Sequence, residues 1–331
     1  VAEDLRRFGT FSHFTPEQLA LLDGCTERRV YPAGTKVFLE GQASEEIYLL
    51  QSGEARVRRQ TPFGPFDLAA LDPGDLFGEQ SFLASDARTT TIEVIRDVDS
   101  LLFEPASLRA LADRDSSFKQ ALYWTFWKSL SHKLRGANRR LLDFFADEEA
   151  DPPYDGPAAM PGGGEKMDLA SKRRVFQEQP LSEMEINFLA SLSREERFPA
   201  GQVIFRQGDR GDRMYVVVEG QVLISTLVPS AGEEALYFVE RGDYFGEMAL
   251  IDDLPRSADA RAHPDEGALV LSITKEVLSG ILSVEKVSSV RLLQTLCRMA
   301  STRLTQIDEK LVGWYLVAGA DPKVRPQIVR G

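Results

Sequence analysis

The sequence predicts a mainly β protein with helices (α+β): two tandem antiparallel β jelly-roll barrels, each flanked by N-terminal helices and a long C-terminal helix. Three observations carry this expectation. The 331 residues are long for one core and comfortable for two domains. The chain also repeats itself: Gly34, Gly41 and Gly53 return as Gly201, Gly208 and Gly220 at an offset of 167. After one extra residue, Gly74, Asp75, Phe77, Gly78, Glu79 and Arg88 return as Gly242, Asp243, Phe245, Gly246, Glu247 and Arg256 at an offset of 168. Finally, each copy holds short apolar runs at regular spacing broken by glycine, the pattern of an all-β sandwich or barrel.

Each copy opens on a helix. Thr15, Pro16 and Glu17 supply a cap, a first-turn proline and an acidic first turn ahead of Leu19, Leu21 and Leu22, and Leu181, Ser182 and Glu183 do the same in the second copy. Strands are expected in the first copy at Ile47–Leu50, Ala55–Arg58, Phe66–Leu71, Ile92–Ile95 and Leu101–Phe103. In the second they are expected at Met214–Val218, Val222–Thr226, Leu236–Val239 and Leu269–Ile273. Gly53 and Gly220 are placed at tight hairpins that require positive φ.

A helix follows each barrel. Tyr123, Trp127, Leu130, Leu134, Ala137, Leu141 and Phe144 step by threes and fours, as do Val290, Leu293, Cys297, Ala300, Leu304, Ile307, Leu311 and Trp314. The aromatic-rich first stripe suits packing within the chain, as a lid or domain interface on its own barrel or on the neighbouring module. The second, within 284–317, suits either such packing or a coiled-coil seam that would make a homodimer. Between the copies, DEEADPPYDGPAAMPGGGE is rich in proline, glycine and acid and cannot build a core. The expected organisation is therefore a first module at 1–146, a linker at 147–166, a second module with its long helix at 167–318, and a tail at 319–331.

The second repeat carries the chemistry. In GDYFGEMALIDDLPRSADAR, from Gly242 to Arg261, a glycine permits close backbone approach and the apolar run after it can start a helix. The Arg256 guanidinium is a fork suited to phosphate. Glu247 beside it makes sense as an acceptor for sugar hydroxyls. This pattern resembles the phosphate-binding cassette of cyclic nucleotide-binding domains, found in catabolite activator proteins, regulatory subunits of cAMP-dependent kinase and nucleotide-gated channels. The resemblance implies that Glu247 holds the ribose 2′-hydroxyl, and that Arg256 with the backbone around Gly246, Met248 and Ala249 holds the cyclic phosphate of cAMP or cGMP. Ser257 would add a hydroxyl.

The first copy keeps Gly78 and Glu79, with Arg88 nine residues beyond the glutamate and Thr89 in place of Ser257. It departs from the family where Gln80 and Ser81 replace the apolar-alanine pair, where Ala87 replaces proline, and where Asp86 would compete for Arg88 if it pointed inward. By resemblance these residues form a second ligand site. An aromatic platform over the base is sought in Trp124 or Trp127 for one site and Trp314 or Tyr315 for the other, the alternative for each being a place in the core.

Other classes fit poorly. A net charge of −12, with only Lys323, Arg325 and Arg330 locally basic near the end, argues against nucleic acid. The short stretch after Trp314 holds no helix-turn-helix unit. His13, His132 and His263 are scattered, so neither a metal site nor metal-dependent catalysis is expected, and no serine or kinase motif appears. Gly162, Gly163 and Gly164 lack the Gly-Lys-Ser/Thr ending of a nucleotide loop. Cys25 and Cys297 read as two buried thiols, and with no membrane-length apolar run and no signal-peptide core in VAEDLRRFG, a cytoplasmic, non-membrane protein is expected. The functional expectation is a non-enzymatic cyclic nucleotide sensor that signals through its C-terminal helices to an unidentified protein partner. A scaffold built on such domains is the alternative. A kinase regulatory subunit is the second, although its Arg6–Arg7 match is discounted because arginine pairs also begin at positions 28, 58, 139 and 173.

Overall fold

The computed structural model describes residues 5–144, 166–228, 232–282 and 289–317. The linker expected at 147–166 lies outside them apart from Lys166, as do the tail at 319–331 and the start of the helix expected at 284–317. The chain divides into two compact units, one of Val1–Leu141 with Cys297–Gly331 and one of Leu142–Leu296.

Unit one opens on α1 (Pro16–Asp23), where Thr15 accepts from the Gln18 amide and the Gln18 side chain answers the Thr15 amide, a full capping box ahead of Pro16. Its strands are β1 (Thr26–Tyr31), β2 (Lys36–Phe38), β3 (Ile47–Thr61), β4 (Gly64–Leu71), β5 (Leu76–Phe77) and β6 (Thr91–Phe103). They form one antiparallel six-stranded sheet of order β1-β6-β3-β4, with β2 on β6 and β5 on β3. Four of the expected strands are thereby fused into two long ones.

Gly53 does not turn a hairpin. It lies inside β3 with φ 97°, where the register against β6 slips repeatedly between Leu50 and Ala55. A Cβ there would stand 2.2 Å from the Asp97 carbonyl oxygen, so the glycine marks a bulge where two backbones nearly touch. The hairpin comes later, where Thr61 pairs with Gly64.

After the cassette helix α2 (Glu79–Ala84), the unit continues through α3 (Pro105–Arg114) and α4 (Ser116–Phe144). Trp127, Leu130, Leu134, Ala137 and Leu141 of α4 are all buried. The last helix, α9 (Ser289–Val317), contributes its residues from Cys297 onward to this unit. Cys297 Sγ donates to the Tyr123 carbonyl at 3.3 Å, Tyr315 packs on Phe66 with ring centroids 4.5 Å apart, and Arg140 faces Asp308 at 4.0 Å. Val290, Leu293, Cys297, Ala300, Leu304, Ile307 and Leu311 are buried within the single chain. The stripe is thus already covered, which corrects the reading of it as a seam between chains: an apolar face that packs at home has nothing left to offer a second copy.

Unit two repeats the plan with α5 (Leu169–Gln177) and α6 (Glu183–Leu192), the latter closed by a Ser182–Glu185 capping box. Its strands are β7 (Arg194–Phe198), β8 (Val203–Phe205), β9 (Arg213–Gly220), β10 (Val222–Val228), β11 (Gly232–Val239), β12 (Tyr244–Phe245), β13 (Asp259–Ala262) and β14 (Ala268–Thr274). They make two four-stranded antiparallel sheets, β11-β10-β13-β8 and β12-β9-β14-β7. Gly220, φ 71°, likewise turns no hairpin: it stands where the chain leaves β9 in one sheet and enters β10 in the other. The architecture is jelly-roll-like, with open sheets in place of the closed barrels expected. Helices α7 (Met248–Asp252) and α8 (Lys275–Leu282) complete the unit. Among the described residues no helix is long and apolar enough to cross a membrane, and Cys25 is only half-buried whereas Cys297 is fully so.

Candidate functional site

In unit two, β12 ends at Phe245, Gly246 takes φ 75°, and Glu247 precedes α7, which stops at Asp253 in the left-handed region. Unit one shows the same sequence of events: Phe77, Gly78 at φ 88°, α2, and left-handed Ser85. Beneath each cassette sits an aromatic trio the repeat reading overlooked. Tyr48 stacks on Phe77 at 4.9 Å beside Phe38, and Tyr215 stacks on Phe245 at 5.0 Å beside Phe205. The cassette arginine lies over the first ring of each trio, Arg88 at 4.0 Å from Phe38 and Arg256 at 4.1 Å from Phe205.

The six residues expected of the second site, Gly246, Glu247, Met248, Ala249, Arg256 and Ser257, line one open pocket of about 330 Å³, together with Phe205, Ile224, Tyr237 and Ala258. Glu247 and Arg256 are buried. Arg256 donates through Nη1 to the Gly246 carbonyl and through Nη2 to the Arg213 carbonyl at 2.7 Å, while its buried Nε has no hydrogen-bond partner. Both acceptors are neutral carbonyls, so neither neutralises the guanidinium. Asp212 is instead taken by Arg213, at 2.9 and 3.0 Å. Burial pulls the Arg256 pKa down, opposed by Tyr215, Glu247 and Asp212; burial also pushes the Tyr215 phenol up to about 12. The Ser257 hydroxyl points at Met248 Sδ, 3.6 Å away.

Room for this arginine depends on Gly211. A Cβ at that position would stand 2.4 Å from Ala249 Cβ and 2.9 Å from Arg256 Nε and Cζ. Sequence reasoning missed it, although the offset of 167 pairs it with Ser44 just after the recurrent Gly41 and Gly208.

The first cassette has the same frame with its polar groups engaged differently. Glu79 is fully buried, paired with Lys133 Nζ of α4 and 3.4 Å from Ser129 Oγ through Oε1, while its Oε2 has no partner. Arg88 donates from Nε to Ser44 Oγ at 2.8 Å, from Nη1 to the Gly78 carbonyl at 2.9 Å, and from Nη2 to the Glu46 carbonyl at 2.7 Å and its carboxylate at 3.4 Å. Gln80 Nε2 donates to the Ser301 carbonyl and hydroxyl, both at 3.3 Å. Ser81 is buried and Thr89 half-buried, whereas Asp86 is exposed and accepts from the Ala87 amide, so it does not compete for Arg88. The aromatics considered as base platforms sit in unit one: Trp127 is fully buried, Trp124 stacks on His13 at 5.0 Å, and Tyr315 is the residue on Phe66. Among the described residues no group of His, Cys, Asp and Glu could hold a metal ion.

Comparison with known proteins agrees with this geometry. The chain is 28% identical over 262 residues to a cAMP-dependent protein kinase regulatory subunit of Emericella nidulans, covering 76% of this chain and 52% of that protein. It is 31% identical over 143 residues to a CRP-like cAMP-activated global transcriptional regulator of Mycobacterium tuberculosis, covering 43% of this chain and 62% of that one. The chain thus spans about half the length of the fungal subunit, and 27% of a cGMP-dependent protein kinase of Caenorhabditis elegans to which it is 23% identical. Among solved structures, the regulatory domain of Toxoplasma gondii PKA with cAMP matches at 22% identity and a TM-score of 0.33, covering 91% of this chain and 95% of that one. The profile of the cyclic nucleotide-binding domain matches twice, at residues 28–115 and 195–285, more than half of the chain and both cassettes. With the same glycine-led frame closing over an arginine and a glutamate in each half, the chain belongs to the cyclic nucleotide-binding domain family.

Proposed function

We propose that this chain is a non-enzymatic sensor whose second cassette binds cAMP or cGMP. One observation carries the reading: Gly246, Glu247, Met248, Ala249, Arg256 and Ser257 meet in one open pocket whose buried arginine keeps a donor without a partner. In that reading Glu247 accepts from the ribose 2′-hydroxyl, Arg256 and the backbone at Met248 and Ala249 hold the cyclic phosphate, and Ser257 turns its hydroxyl from Met248 toward it. Titration calorimetry with cAMP and with cGMP, on the wild type and on Glu247→Gln, tests this. A loss of at least tenfold in affinity on substitution supports the assignment, and unchanged affinity refutes it.

Output is proposed to pass by population shift: the nucleotide favours one arrangement of the cassette and the helices that follow it, by no more than its difference in affinity for the two arrangements. The receiver is a protein partner, and the compartment a cytoplasmic one. The match to a kinase regulatory subunit across 76% of the chain favours a kinase catalytic subunit as that partner over a purely structural scaffold. Co-purification with and without cAMP, followed by a kinase assay on whatever is retained, separates the two.

A further inference from the structure

We propose that Lys275 is a positioning residue that ties the start of α8 to both sides of the second cassette, as Arg109 ties α3 to the first, so that a nucleotide bound there is transmitted to α8. This names the element that follows the cassette in the population shift proposed above, and it rests on that reading of the second cassette.

Each cassette has two sides. One is the short helix after the glycine, α2 or α7, which ends at a left-handed residue, Ser85 or Asp253. The other is the segment that holds the arginine: Arg88 Nη2 donates to the Glu46 carbonyl and Arg256 Nη2 to the Arg213 carbonyl, both at 2.7 Å. Glu46 and Arg213 are equivalent at the offset of 167.

In unit one, Arg109 of α3 reaches both sides. At the end of α2 its Nη2 donates to the Phe82 carbonyl at 3.0 Å and to Ser85 Oγ at 3.3 Å, with the guanidinium 4.2 Å from the Phe82 ring centre. On the other side its Nη1 donates to Glu45 Oε2 at 3.1 Å, next to Glu46. In unit two, Lys275 makes the same two connections. Its ammonium pairs with Asp253 at the end of α7, and its amide donates to the Asp212 carbonyl at 2.9 Å, next to Arg213. Glu45 and Asp212 are again equivalent, but the two cations are not. Phe103 pairs with Ile47 as Ile273 pairs with Met214, so the counterpart of Lys275 is Pro105 and that of Arg109 is Ser279. The tie recurs although the residues that make it do not, so it is no by-product of the repeat.

The Lys275 and Asp253 side chains are 36% and 76% exposed, so their ion pair adds little to global stability. The same exposure bounds its effect on binding: removing it should change affinity by no more than about fivefold. Its role lies in where the change goes. Without the ammonium, α8 keeps its backbone tie to the Asp212 side and no longer follows α7.

The test is hydrogen exchange over α8 beside calorimetry, with cAMP and with cGMP as probes. Saturating nucleotide is expected to slow α8 exchange in the wild type, to slow it about twofold less or weaker still in Lys275→Met, and to slow it as in wild type in the charge-swapped Lys275→Asp, Asp253→Lys variant. A full α8 response in Lys275→Met overturns the proposal, as does a wild type that binds without any α8 response. A swapped variant that melts like wild type and still lacks the response overturns it too. If the wild type binds neither nucleotide, the reading of the second cassette fails. The tie is then decided without ligand: Arg256→Leu is expected to alter α8 exchange about twofold more in the wild-type background than in Lys275→Met. Equal changes in the two backgrounds, or none in either, refute it.

Discussion

Gly211→Ala is the sharpest probe of the second cassette, because it adds one methyl group where the structure leaves none. Gly211 is outside the left-handed region, so the substitution brings no backbone penalty of its own. The new Cβ would stand 2.4 Å from Ala249 Cβ, where ordinary contacts begin at 3.4 Å, so something must move by about 1 Å. On one side is the start of α7, on the other the Arg256 guanidinium, and both are proposed to hold the phosphate. Overpacking of this kind costs about 1–3 kcal/mol of stability. A charge-assisted hydrogen bond contributes about 1.5–3 kcal/mol, so misplacing one by 1 Å should lower affinity for cAMP or cGMP by roughly 10- to 100-fold, at about tenfold per 1.4 kcal/mol. Calorimetric titration beside a thermal melt reads both effects. A folded Gly211→Ala protein with wild-type affinity would refute the placement of the ligand against Ala249 and Arg256.

Three further outcomes are expected. Lys133→Met leaves Glu79 as an unpaired buried carboxylate and should cost about 3–5 kcal/mol in urea unfolding, most of it recovered in the Glu79→Gln, Lys133→Met double variant; equal losses in the two would show that the pair is not the cause. Gly53→Ala should destabilise the chain more than Gly34→Ala. Both glycines have positive φ, but only at Gly53 does a Cβ strike backbone, 2.2 Å from the Asp97 oxygen, while nothing lies within 4 Å at Gly34. Burial raises the Asp308 carboxyl from 3.8 to about 6, against the pull of Arg140, so the folded state holds that proton more tightly than the unfolded state. Stability from this group is therefore lost as pH climbs from about 4 to about 6, a penalty on the order of 3 kcal/mol at 1.36 per pH unit, fully present above that window. Melting temperatures of Asp308→Asn and wild type should diverge across the same window, and a difference independent of pH would refute the assignment.

Much of the fold was legible because it rests on local chemistry. Thr15 with Gln18 and Ser182 with Glu185 announce their helices through capping alone, and the repeat of glycines announces two modules. What escaped was set by partners distant in sequence. Gly53 and Gly220 read as hairpins because positive φ suits a turn; the strands of Asp97 and Gly267 that crowd them are 44 and 47 residues away, and nothing local points to them. The α9 stripe has the periodicity of a seam, but periodicity reports that a face is covered, not by what, and here Tyr123, Arg140 and Phe66 of its own unit meet the helix.

The cassettes show the same limit at the level of chemistry. Gly78, Glu79 and Arg88 match Gly246, Glu247 and Arg256 residue for residue, yet a motif states only which charges are buried, and a buried charge must find a partner whether or not a nucleotide supplies it. In the first unit the partners come from residues outside the motif, Ser44 before it and Lys133 on α4 after it. In the second, Gly211 removes the local acceptor and leaves Arg256 Nε for something else. The informative signal was therefore not the repeat but its interruption: serine facing glycine at one position of an otherwise matched frame, where the side chain that is gained or lost lies within reach of the arginine.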